Sequence, residues 1–136
     1  PRHLFSGVLH GFSFQPAAAL KRAQEQLDAA RASGDEQAES AALLAVADAQ
    51  AAKEDDFNEG PASAWRLACE VAAKDSAGAE CRAAALHVAA KAKLALGEME
   101  LAAQTAQESL QLFRALQLPE GEAATLNVLA QAQLKE

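Results

Sequence analysis

The sequence predicts an all-α chain: an array of about six helices arranged as hairpins, preceded by a short non-helical arm. Three observations carry this. Alanine, the strongest helix former, supplies about a quarter of the 136 residues. Apolar residues recur at 3/4 spacing between Gly and Pro punctuation. Two kinds of helical segment repeat along the chain at matching intervals.

Residues 1–16, "PRHLFSGVLHGFSFQP", stand apart as a hydrophobic arm ahead of the helical domain at 17–136. They hold Phe5, Phe12 and Phe14, with His3 and His10. Gly7, Gly11 and the flanking prolines discourage a helix. Such an arm folds back on its own domain or docks on another protein, since exposed aromatics mark interfaces.

Helices follow in order. Pro16 suits a first helical position, and Leu20, Ala23, Leu27 and Ala30 share one face. Gly34 stops this helix and Asp35 can cap the next, which runs to about Lys53. The loop "EDDFNEG" separates it from a helix opening at Pro61 and ending before Gly78. The next runs to Gly97, another to about Leu116, and a last one starts at Pro119.

Leu43, Leu86 and Leu126 fall in register, each followed four residues on by Ala47, Ala90 and Ala130. The spacings are 43 and 40 residues, within the range of helical hairpin arrays. The intervening helices repeat too. Ala19, Leu20, Leu27, Ala30 and Arg31 match Ala102, Ala103, Leu110, Phe113 and Arg114 at an offset of 83.

The segment "LALGEMELAAQTAQESLQLFRALQLPEGEAATLNVLAQA", residues 94–132, resembles a tetratricopeptide repeat of the longer, roughly 40-residue variety. The family's large residue, small residue, turn glycine and spaced small residues fall on Leu86, Ala90, Gly97, Ala102 and Ser109. Small residues there let helix backbones approach. The resemblance departs at Lys93, where a tyrosine is common, and at Ala106, where an aromatic is usual. It implies a right-handed array of about two and a half repeats. It begins with a helix of the second (B) type and ends with one of the first (A) type, so both ends are expected to be open. It also implies a concave groove lined by Leu44, Asp48, His87, Lys91, Asn127 and Gln131. That set lacks the repeated Lys and Asn with which family members clamp a peptide carboxylate.

Composition narrows function. A formal charge of −7 argues against nucleic acid and against an anionic membrane surface. No apolar run is long enough to span a bilayer. Two cysteines, Cys69 and Cys81, are too few for a secreted disulfide framework, and a reducing compartment is favoured. A start at Pro1 without methionine is expected of a processed product, including one that has lost an import peptide, or of part of a longer chain. "EDDFNEGP" fails as a calcium loop, because Phe57 and Arg66 stand where oxygen ligands belong. Cys69, Cys81 and His87 lack metal-ligand spacing, and no catalytic motif is present. Trp65 reads as core.

The expectation is therefore a non-catalytic interaction protein without cofactor or metal. Its leading form is an accessory or structural subunit of a larger assembly, including one peripheral to a membrane complex such as a respiratory or photosynthetic one. The alternative is a free adaptor that captures a peptide in the groove. A remote alternative is an enzyme or cofactor carrier using His3, His10 or His87.

Overall fold

A computed structural model describes residues 16–52, 59–74 and 78–134. Among the described residues the chain is all-α, with six helices and no strand. They are α1 (Pro16–Ser33), α2 (Glu36–Ala52), α3 (Glu59–Ala73), α4 (Ala79–Ala95), α5 (Met99–Ala115) and α6 (Pro119–Leu134). Each packs against the next, as expected of helices joined by short connections. In addition α2 touches α4 and α4 touches α6. Among the described residues α1, α3 and α5 make no such contacts with one another. The array thus has an inner row of α2, α4 and α6 and an outer row of α1, α3 and α5.

The turns explain the tight connections. Gly34 takes a left-handed φ of +74°, and its N–H bonds the Ala30 carbonyl at 3.0 Å. Oδ1 of Asp35 then accepts the N–H groups of Gln37 and Ala38 at 3.1 and 3.2 Å, capping α2. The α4–α5 and α5–α6 turns share one hydrogen-bond pattern. Gly97 and Glu98 donate to Leu94 and Lys93 in the first, and Gln117 and Leu118 donate to Arg114 and Phe113 in the second. Gly97 has φ +81°, whereas Gln117 adopts +56° with a side chain attached.

Alanine dominates the core. One cluster joins α2, α3 and α4 through Leu44, Ala47, Ala64, Ala68, Val71, Ala85 and Val88. A second joins α1 to α2 through Ala23, Leu27, Ala42 and Val46. A third unites Ala90, Ala106 and Val128 from α4, α5 and α6. Phe113 is the largest fully buried side chain, and its ring lies directly on the backbone of Gly121. Gly121 therefore belongs to the first turn of α6 and is needed for a close approach. Trp65 is half-buried at the edge of the first cluster, with Lys93 Nζ 4.3 Å from its ring centroid. Lys93 thus covers the Trp65 ring.

Candidate interaction surfaces

The residues expected to line a groove divide three ways. Leu44 and His87 are buried, at 0% and 2% exposure, and offer no surface to a partner. This corrects the groove assignment of these two residues. The physical reason is the alanine content of the inner row, whose helices approach closely enough to enclose these positions. Leu44 belongs to the cluster shared with α4. His87 Nδ1 lies 3.3 Å from Thr125 Oγ1 of α6, itself fully buried. Asp48 and Lys91 are partly buried and bond each other, Nζ donating to Oδ1. They are 43 residues apart, so the ion pair links equivalent positions of successive repeats. Asn127 and Gln131 are exposed on α6. Phe5, Phe12 and Phe14 lie outside the described residues.

The buried titratable groups are held in quiet states. Burial, with help from the Lys91 charge, pushes the His87 imidazole down to about 3. Burial pushes Asp48 up, opposed by its Lys91 partner. Cys69 and Cys81 are free thiols, and burial pushes both up, away from the reactive thiolate. Among the described residues no group of three His, Cys, Asp or Glu side chains stands close enough to hold a metal ion. No described helix is long and apolar enough to cross a membrane.

The repeat register exposes a different surface. Ser40 in α2 and Ala83 in α4 are equivalent and buried, and so are Ala47 and Ala90. Their counterparts in α6, Ala123 and Ala130, are exposed. Leu126 between them is 44% exposed and Leu134 beyond them 84%. The α4 face is covered by α5, where Ser109 Oγ donates to the Ala83 carbonyl at 2.8 Å and Ala106 packs on Ala90. Among the described residues no helix plays the part of α5 for α6. The sequence of α6 has the all-round apolar pattern of an inner helix, yet the helix sits at an edge.

The other end differs. At the offset of 83, Arg22 and Gln26 of α1 replace the buried Thr105 and Ser109 of α5, and both are exposed. Lys21, Gln24, Glu25 and Asp28 are exposed beside them. Solenoids need such polar terminal faces for solubility. The expectation of two open ends is thus corrected to one: α1 carries a capping face and α6 does not.

Two ion pairs recur at the offset of 83. Arg31 meets Glu39 at 3.4 Å, and Arg114 meets Glu122 at 3.5 Å, across the first and last hairpins. The middle hairpin breaks the pattern, because Arg82 stands where those glutamates do and bonds the Ala72 carbonyl instead. Comparison of the chain with protein-family models, with curated proteins and with solved structures finds no match, so the fold and its surfaces rest on the chain's own geometry.

Proposed function

We propose that this chain is a non-catalytic protein-interaction module of the tetratricopeptide-like kind, acting as an accessory or structural subunit of a larger multiprotein assembly. The observation that carries this reading is the exposed apolar face of α6, where Ala123 and Ala130 stand at positions buried in both preceding repeats and Leu126 beside them is 44% exposed. Exposed apolar surface rimmed by polar residues marks a docking site. The enclosed His87–Thr125 pair and the buried Cys81 thiol, which burial keeps protonated, support the non-catalytic part. In an assembly beside a membrane complex, the chain would lie outside the bilayer.

The test is the native mass of the chain in its source material. A mass far above 14.2 kDa, holding at high salt, is the expected result. A mass at the monomer value would remove the subunit reading.

A further inference from the structure

We propose that the α4–α6 junction is an acid-released latch, held shut by the neutral His87 ring against Thr125 and opened by protonation of that ring. The repeat register places the latch at one junction and not the other. Leu44 of α2 and Ala85 of α4 are buried in one cluster where α2 meets α4. Their counterparts one repeat on, at the spacings of 43 and 40, are His87 of α4 and Thr125 of α6. These meet where α4 packs on α6, with Nδ1 3.3 Å from Oγ1 and both residues buried. A titratable pair thus replaces an apolar pair at the same place in the array. The equivalent position on α6 shows what encloses the ring. Among the described residues no inner helix follows α6, and its Asn127 is exposed. His87 is 2% exposed because α6 lies over it.

Charge is what the closed junction rejects. The Thr125 hydroxyl can meet Nδ1 in either protonation state, so protonation keeps the hydrogen bond and adds a buried cation. Of the charged side chains on the surrounding helices, Lys91 acts on the ring, and it repels a second cation. Asp48 of α2 is bonded to Lys91. On α6, Glu122 pairs with Arg114 and Glu120 is exposed. Every charged side chain of α3 and α5 is exposed. The closed ring therefore takes a proton only near 3, whereas a ring opened to water takes it near 6.5. The open form binds more protons between those values, so opening grows as pH falls through that window. The gain is about tenfold per pH unit well below 6.5, and about 25-fold from pH 7 to 5. Asp48, at the α2–α4 junction, has the opposite sign, because its raised value gives the proton to the closed form. Acid thus loosens the α4–α6 junction and not the α2–α4 junction, and it bares the face of α4 that carries His87.

The test is amide hydrogen exchange of the full chain between pH 7 and 5, each rate divided by the intrinsic rate of that amide. Opening constants of residues 121–134 should rise about 25-fold over the series. They should exceed those of α4 and depend less on urea, as befits a partial opening. Amides of α1, whose release leaves His87 covered, should show no such rise. In His87→Leu, which installs the residue that Leu44 already is, the rise in α6 should vanish. Thr125→Val keeps the side-chain shape and removes the hydroxyl. It should raise α6 opening about fivefold at every pH and leave the pH dependence as it was.

Flat α6 opening constants across the series overturn the proposal. So does a rise that survives His87→Leu, which assigns it to another group, His3 and His10 included. Opening constants and urea dependence shared by α4 and α6 at every pH overturn it as well, because a single global unfolding exposes the ring without any latch. Where circular dichroism shows that His87→Leu does not fold, Thr125→Val decides. A changed pH dependence with His87 still in place overturns the proposal, and an unchanged one with raised α6 opening supports it.

Discussion

Gln117 holds a left-handed backbone that its counterpart Gly97 adopts without a Cβ penalty. Gln117→Gly is therefore expected to stabilise the chain by about 0.5–1 kcal/mol, read as a higher urea midpoint at unchanged slope. Gly121 presents the opposite case. A Cβ there would overlap the ring of Phe113, which is fully buried and has nowhere to move. Gly121→Ala should cost about 1–3 kcal/mol, and combining it with Phe113→Leu should cost less than the sum of the two. His87 gives a pH signature. Its imidazole stays neutral in the folded chain down to about 3, whereas the unfolded chain protonates near 6.5. The unfolded state thus binds more protons across that window, and stability falls as pH falls, by about 1.4 kcal/mol per pH unit. Asp48 has the reverse sign, because its raised value lets the folded state take up a proton first. His87→Leu, the residue its counterpart Leu44 already is, should flatten the acid slope in urea titrations between pH 6.5 and 4. An unchanged slope would assign the acid response to other groups. Of these three residues, His87 and Gln117 were legible only through register: His87 falls on Leu44, and Gln117 falls on the turn glycine Gly34 at the offset of 83 although its own residue type gives no sign of a left-handed backbone. Gly121 sits so near Pro119 that it reads as punctuation rather than as a contact.

At the scale of the helix pair, alanine and serine fix distance. Ser109 Oγ and the Ala83 carbonyl join α5 to α4 at a fully buried contact. Ser109→Ala should lose about 1 kcal/mol, and Ala83→Leu about 1–3 kcal/mol through overpacking, both measured by thermal unfolding. The ion pair of Asp48 with Lys91 spans the inner row, so Lys91→Ala should act on stability, costing about 1–2 kcal/mol by stranding a partly buried carboxylate. A weakened partner with unchanged stability would instead restore the groove. The helix faces themselves were legible. Leu20, Ala23, Leu27 and Ala30 turn inward as their spacing predicts, and Gly34 and Asp35 end and cap as expected. The groove was not, because register locates equivalent positions without saying how near the next helix comes. Leu44 and His87 had the right spacing and the wrong exposure for that reason.

Across the whole molecule the two ends are unequal. The polar face of α1 suits water, and the apolar face of α6 calls for cover. Between them, among the described residues, α4 touches α2, α3, α5 and α6, while α1 touches only α2 and α6 only α4 and α5. Stability in such arrays is a sum of nearest-neighbour terms. Opening should therefore be graded rather than uniform. Amide hydrogens of α4 are expected to exchange last, and those of α1 and α6 first. Anything that settles on α6 gives that helix a third neighbour and slows its exchange, with the effect fading toward α1. The protein would then behave as a zipper with one loose end, and the rate at which that end unzips would report, from the bare chain alone, whether it is occupied.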